Sequence, residues 1–440
     1  MRSLVCTYDC RVGSITIDLA LLAAALAVIA VVVGVVAPRR RAVARQIASA
    51  CLLTSTALTG LAVVALGRAL WTVDPALAYV ARHSSAKTPL AYRIAGIWGG
   101  MEGSLLFWAF IVASTFAIAV AAGRSYSNDE MLAVAGVGSA TTATFLFVGR
   151  TWASPFERLD APTGSGDGLL AVLQHPAMVY HPPILYIGLA LTGVPFALTL
   201  LALTQRRLDQ RWRSIVVPWV RAGWLVLAIG IVTGSQWAYA ELGWGGFWAW
   251  DPVENSSLLP WLAATVALHL LADSANQLRL GAASAIGAAF CLMVCGVYVT
   301  RSGSTGSIHA FSESPEVGRP LLIFAAIAGV VTIAAIVRHG FDSAAADNTI
   351  RSRTLQLHSV LGAIAIAAIA MGTFWPVLDG LVFSDVGTRA LVRPQYYHRA
   401  LAPIVAASML AMAIGPVIAV RSYATFRSAI RPLAASSIAG

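Results

Sequence analysis

Apolar runs long enough to cross a lipid bilayer recur along this chain from one end to the other. A bilayer core of about 30 Å needs roughly 20 residues of helix, and every backbone polar group inside it must be paired within the segment or its bundle. The chain is therefore restricted to a bundle of spanning helices. Length and hydropathy predict about eleven spans, near 15–36, 47–70, 104–122, 130–149, 182–204, 216–236, 256–272, 280–300, 320–337, 358–376 and 400–420. Composition agrees, since 58% of the 440 residues are hydrophobic and 11% charged, against about 25% charged in an ordinary soluble domain. The spacing leaves no room for a large soluble domain. Residues 1–440 read as a single integral membrane domain, an all-α polytopic fold.

Orientation follows from the short connectors, because Lys and Arg concentrate on the cytoplasmic side. Pro38-Arg39-Arg40-Arg41 with Arg45, the stretch from Gln205 through Arg213, then Arg338, Arg351, Arg353, Arg421, Arg427 and Arg431 mark that side. The N-terminus is expected outside and the C-terminus in the cytoplasm, with the chain in the cell (inner) membrane. The net charge of +10 then reports topology. Its scatter over loops, without a basic stripe, argues against a nucleic-acid partner. The first apolar stretch lacks an evident cleavage site and reads as a retained span. The opposite face receives long, aromatic-rich loops at 71–103, 150–181, 237–255, 301–319 and 377–399. Five of the eight histidines lie there: His83, His175, His181, His309 and His398. Chemistry is expected on the extracytoplasmic face.

Cysteine carries little of the argument. Cys6 and Cys10 could pair in the N-terminal segment, Cys51 stands alone, and Cys291 and Cys295 sit one helical turn apart within a span, where small-residue packing accounts for them. No thiol is assigned a catalytic role.

The stretch from Trp244 to Asn255, W-G-G-F-W-A-W-D-P-V-E-N, crowds three tryptophans and a phenylalanine into seven residues. Headgroup anchoring does not require such density. A flat aromatic platform for a flat partner does, and haem is the obvious candidate. Asp251-Pro252-Val253-Glu254 reads as a helix start, with Asp251 as cap, Pro252 at the first helical position and Glu254 as the reciprocal carboxylate. Capping and ligand recognition are compatible duties for Asp251.

Three histidines complete the pattern. His181 heads H-P-P-I-L-Y, whose prolines are expected to hold the chain extended and present the imidazole at the outer mouth of a span. His309 lies in the small-residue loop T-R-S-G-S-T-G-S-I-H-A-F. Flanking an aromatic platform, the two are placed to clamp a haem iron from opposite faces, although a lone loop histidine is more often only solvated. His269 falls about 25 Å along the helix that begins at Pro252, where an ionisable group is a functional candidate by default. The bland alternative is a neutral histidine bonded between packed helices. Glu102 reads as a cap, a surface carboxylate or a cavity ligand. Arg68, Arg82, Arg93, Arg150 and Arg158 are all placed to suit haem propionates, with no single one singled out.

These motifs resemble the CcmF family, the haem lyase subunit of a multi-component cytochrome c maturation pathway. W-A-Y-A-E-L-G-W-G-G-F-W-A-W-D-P-V-E-N-S-S at 237–257 resembles the family's WWD signature. Y-V-A-R-H-S-S at 79–85, W-G-G-M-E-G-S-L-L-F-W at 98–108, S-P-F-E-R-L at 154–159, H-P-P-I-L-Y at 181–186, T-R-S-G with S-I-H-A-F, G-T-F-W-P at 372–376 and A-I-G-P at 413–416 continue in order. The WWD signature is shared with CcmC-type and CcsA-type proteins, whereas the other strings favour CcmF. The resemblance implies that His181 and His309 ligate the substrate haem. Trp237, Trp244, Gly245, Trp248, Trp250 and Asp251, with Glu254 and Asn255, would hold it, and His269 would ligate an intramembrane haem b. Relatives are usually longer, so the chain reads as a short form without the usual C-terminal portion. The second intramembrane ligand would then come from a separate chain, or from His339 or His358, or else the haem b would be absent. Met101 stands where relatives often carry histidine, and His175 where the pattern has an acidic residue.

The activity implied is addition of the two thiols of an apocytochrome C-x-x-C-H segment across the haem vinyl groups. The enzyme's task would be positional, with no nucleophile of its own. Implied partners are apocytochrome c, a CcmE-type haem chaperone, CcmH- and CcmG-type thiol-handling subunits, and membrane lipid. Two rivals use the same residues: a haem transporter or chaperone that forms no bond, and a non-catalytic scaffold subunit of the maturation complex.

Overall fold

The computed structural model describes residues 2–160, 166–243, 246–272, 278–305, 307, 314–340, 350–382 and 392–418, with side chains at 2–10, 350–351, 380–382 and 414–418 left aside. Helices account for nearly all of it. They are α1 (Arg2–Val36), α2 (Arg41–Thr72), the short α3 (Ala78–His83) and α4 (Leu90–Ala95), α5 (Met101–Ala122), α6 (Asn128–Trp152), α7 (Pro176–Ala190), α8 (Gly193–Thr204), α9 (Gln210–Glu241), α10 (Pro252–Leu271), α11 (Arg279–Ser302), α12 (Pro315–His339), α13 (Ile350–Val382) and α14 (Pro394–Ile418). Among the described residues, nine stretches are long and apolar enough to cross a membrane, α7 and α8 together forming one of them. The other two expected spans fall on α10 and α14. Glu254, Asn255, Ser256, Ser257 and His269 lower the hydropathy of α10, and all but His269 are buried inside the bundle.

Many exposed side chains of α1, α12 and α14 are large and apolar, among them Leu22, Ile29, Ile327, Val330, Ile333, Val405 and Leu410. In water such a belt would be an aggregation surface; in hydrocarbon it is the expected exterior. The chain is a multi-pass membrane protein.

The span expected at 182–204 differs from expectation. The helix already begins at Pro176, so His181, Pro182 and Pro183 lie within α7, and the chain breaks at Leu191 and Thr192 before α8. The prolines therefore do not hold an extended segment. Pro182 has no N–H to give the Met178 carbonyl one turn earlier. The indole Nε1 of Trp98 donates to that carbonyl instead, at 2.8 Å. An aromatic donor from outside the helix restores the pairing that proline removes.

Close backbone approach locks α7 against α9. A Cβ built on Gly188 would lie 2.6 Å from the Leu227 backbone nitrogen, and one on Gly230 would lie 2.9 Å from the Leu185 Cα. Small residues at such contacts are how spanning helices gain packing without a hydrophobic drive. Between the spans, loops 71–103 and 150–181 are tied by an isolated antiparallel bridge of Leu77 with Arg158. Ala78 N–H to Glu157 O at 3.0 Å and Leu159 N–H to Ala76 O at 2.9 Å reinforce it.

Candidate functional site

An apolar cavity of about 180 Å³ lies among α5, α7, α10 and α11, within an open-mouthed space of about 1040 Å³ in all. Its walls carry Trp98, Trp108 and Trp237, Met178 and Met293, and Gly99 and Gly100, where the absent side chains make room. Five polar side chains line it: the imidazole of His181, the hydroxyls of Ser256, Ser257 and Thr300, and the guanidinium of Arg301.

His181 is held in one tautomer. Its Nδ1 lies 2.9 Å from the carbonyl of Gly230, with the Thr233 hydroxyl at 3.4 Å. A carbonyl only accepts, so Nδ1 carries the hydrogen and Nε2 carries the lone pair. This is the state a metal-ligating histidine needs, with a backbone carbonyl orienting the ring from behind. Gly234 packs directly on the ring, its built Cβ falling 2.5 Å from Cε1 and 3.0 Å from Nε2.

The W-G-G turn ahead of α5 forms the opposite wall, and Tyr79 holds it. The Tyr79 hydroxyl donates to Gly96 O at 2.6 Å and accepts from the Gly100 N–H at 3.1 Å. His83 stacks on Tyr79 with ring centroids 4.2 Å apart and sets Nδ1 2.9 Å from the Tyr79 carbonyl. Burial pushes the His83 imidazole below the usual histidine range, partly offset by that carbonyl. Burial, with Glu102 nearby, pushes the Tyr79 phenol up, so it stays a neutral donor.

The tryptophan-rich segment runs differently from the flat platform expected. Trp248 and Trp250 meet edge to face, centroids 6.2 Å apart at 83°. Trp250 has a left-handed backbone with φ of 61°, which costs roughly 1–2 kcal/mol for a residue with a Cβ. That turn lays its ring against Tyr397 of α14 at 5.0 Å and 3°, with the exposed His398 edge-on at 6.2 Å. Asp251 caps α10 as expected: its Oδ1 accepts from Val253 N–H at 2.9 Å and from the Ser307 hydroxyl at 2.7 Å. Glu254 closes the capping box, its Oε2 accepting from the N–H groups of Asp251 at 3.2 Å and Ala249 at 2.9 Å. Asn255 reaches Trp250 O and the Thr373 hydroxyl, each at 3.1 Å. From this segment and its flanks, Trp237, Val253, Ser256 and Ser257 line the cavity, while Trp250 and Asn255 tie the loop to α14 and α13, and Trp248, Asp251 and Glu254 make contacts within the loop, the start of α10 and Ser307. Trp244, Gly245 and His309 lie outside the described residues.

His269 stands in the last turn of α10 with Nδ1 2.8 Å from Thr265 O. Its ring centroid is 5.7 Å from that of His358 on α13, at 27° between planes. His339 sits at the end of α12 against the Gly340 carbonyl instead. His175 is the N-cap of α7, its Nδ1 accepting from Ala177 N–H at 3.1 Å, and Met101 is a buried first residue of α5. None of the five expected arginines lines the cavity. Arg82 pairs with Glu102 at 2.6 Å, Arg150 with Asp18 at 2.7 Å, and Arg93 donates to the carbonyls of Thr88 and Ala86. The cation that does line it is Arg301. One signal in the sequence pointed to it, an arginine in the last turn of an otherwise apolar helix.

The family model described as cytochrome C assembly protein matches residues 98–307, which include the cavity's W-G-G turn, His181 and the W-W-D segment. The cytochrome c-type biogenesis protein CcmF of Pseudomonas aeruginosa is 37% identical over 358 residues, covering 78% of this chain and 53% of that protein. CcmF of Escherichia coli is 34% identical over 354 residues, covering 78% and 54%. The cytochrome c-type biogenesis protein CycK of Bradyrhizobium diazoefficiens is 33% identical over 411, covering 90% and 61%. A solved structure described as cytochrome c heme lyase CcmF is similar with a TM-score of 0.75 and 27% identity, over 93% of this chain and 62% of that one. The chain thus spans between about half and three fifths of the length of these curated relatives.

Proposed function

This chain belongs to the CcmF family of cytochrome c assembly proteins, and from that premise we propose that it is a haem lyase subunit of cytochrome c maturation. The observation that carries the proposal is His181, fixed by the Gly230 carbonyl in its metal-ligating tautomer on the wall of an aromatic cavity. The substrate is haem, ligated through His181 from one face and, in the fuller site, through His309 from the other. Trp237 with Trp98 and Trp108 supplies the apolar walls. The tryptophan-rich loop would present Trp244, Gly245, Trp248, Trp250 and Asp251 toward the haem, with Glu254 and Asn255 fixing Trp250 and Asp251 through their hydrogen bonds.

The chemistry asks for position. Each cysteine S–H of the apocytochrome adds across one vinyl C=C: sulfur bonds to the inner vinyl carbon, and the hydrogen ends on the outer carbon as part of a methyl group. No oxidant or reductant is consumed, and no nucleophile from this chain is needed. Holding the porphyrin so that each thiol meets one vinyl lowers the barrier by orientation. Apocytochrome c, a haem-delivering chaperone and thiol-handling subunits are the partners such chemistry requires.

A resident haem b is a second, separate element of the proposal. Its donor set fits: His269 has Nδ1 committed to the Thr265 carbonyl, leaving the lone pair on Nε2, and His358 faces it from the neighbouring helix. Bound there, a haem would supply an electron-transfer centre. His269 and His358 would hold it.

The test is coexpression with the other maturation components and a C-x-x-C-H cytochrome, scored for thioether-linked haem. Attachment that depends on this chain, and falls on His181→Ala with the complex still assembled, is expected. Haem bound by the chain while attachment proceeds without it would leave a transporter as the better description.

A further inference from the structure

Arg301 has no carboxylate partner among the described residues, yet it faces into the cavity that His181 lines. One guanidinium nitrogen donates to the Tyr186 hydroxyl at 3.1 Å. Its Nε is fully buried with no hydrogen-bond partner. Tyr186 in turn is buried and wedged by Trp108, centroids 4.9 Å apart, so the guanidinium has a rigid support. A buried guanidinium nitrogen without an acceptor is costly unless something anionic completes it.

We propose that Arg301 recognises a carboxylate of the cavity's ligand, one haem propionate on the functional reading above, and so sets the in-plane orientation of the porphyrin. The proposal rests on that reading. Its geometry is a two-point one. Tyr186 lies five residues beyond His181 on α7, about 7.5 Å along the helix axis, on the scale of the step from a porphyrin's iron to its edge. A porphyrin held by one histidine can rotate about the iron–nitrogen bond, which would carry its vinyl edge away from the incoming thiols. A planar guanidinium bonded to a carboxylate on one edge removes that freedom. The vinyl and propionate groups occupy opposite halves of the ring, so anchoring the propionate edge keeps the vinyl edge turned toward the incoming thiols.

Binding of ferric haem and of its dimethyl ester, followed optically in purified protein, tests this without reference to lyase activity. Wild type is expected to bind haem more tightly than the ester by roughly ten- to hundredfold, the worth of one charge-assisted hydrogen bond. Arg301→Gln is expected to bind both with the affinity wild type has for the ester, and that retained ester binding shows the variant is folded. Arg301→Lys keeps the charge without the fork and is expected to restore part of the preference. Equal binding of haem and ester by wild type, or an undiminished preference in Arg301→Gln, would overturn the role of Arg301 while leaving the haem site standing. Failure of wild type to bind either porphyrin would overturn the haem reading and this inference with it.

Discussion

At the scale of single residues, His181 depends on neighbours that carry no chemistry of their own. Gly230 gives it a carbonyl and Gly234 gives it space. Gly234→Ala places a methyl 2.5 Å from the ring and is expected to push the imidazole off its carbonyl, weakening haem binding about tenfold or more, as ligand-orienting groups do when lost. Optical titration checks this, and unchanged affinity would show that the ring position does not matter. His83 offers a pH dependence with a definite sign. Burial holds its folded pKa below the usual value, so its neutral form contributes stability fully above about pH 6.5. That contribution is lost as pH falls through 6.5 toward the lower folded value. The wild-type melting temperature should drop on acidification across this window, and His83→Gln should flatten the drop. The sequence singled out His181 through H-P-P, and the structure places it on the cavity wall, inside α7 and not before the span. The sequence hid Arg301, because an arginine at a helix end is read as topology until the cavity it lines is known.

At the scale of elements, α10 was legible because Asp251, Pro252 and Glu254 stand at the spacing a helix start demands, and all three take those roles. Asp251→Ala should cost about 0.5–2 kcal/mol through the lost cap, with a further loss from the Ser307 contact. Asp251→Asn retains an oxygen acceptor and should keep most of the stability. Equal destabilisation by both would mean that the negative charge, and not the cap, is what matters. The start of α7 was misjudged for a physical reason. Two adjacent prolines ordinarily end a helix, and what rescues this one is Trp98, roughly eighty residues earlier in the chain. Local pattern carries no trace of that partner. Trp250 is similar: its density among aromatics suggested a flat surface, but its positive φ turns the ring onto Tyr397.

At the scale of the whole molecule, all eleven expected apolar stretches coincide with helices, since bilayer length is a strong constraint. Their pairing was not legible, because α7 meets α9 and α10 meets α13 through glycines and histidines far apart in sequence. The side assigned to each loop rests on the basic connectors. With the five native cysteines replaced by serine, a membrane-impermeant thiol reagent applied from outside intact cells should label Lys87→Cys and spare Arg207→Cys; the reverse pattern would invert the topology. The central claim is that His181 ligates haem in the cavity of α5, α7, α10 and α11. The direct measurement is the optical and electron-paramagnetic spectrum of haem-loaded protein carrying His269→Ala, which removes the intramembrane ligand, compared with the same protein also carrying His181→Ala. A changed axial-ligand signature with at least tenfold weaker binding is predicted. An identical spectrum and affinity in the two proteins would contradict it.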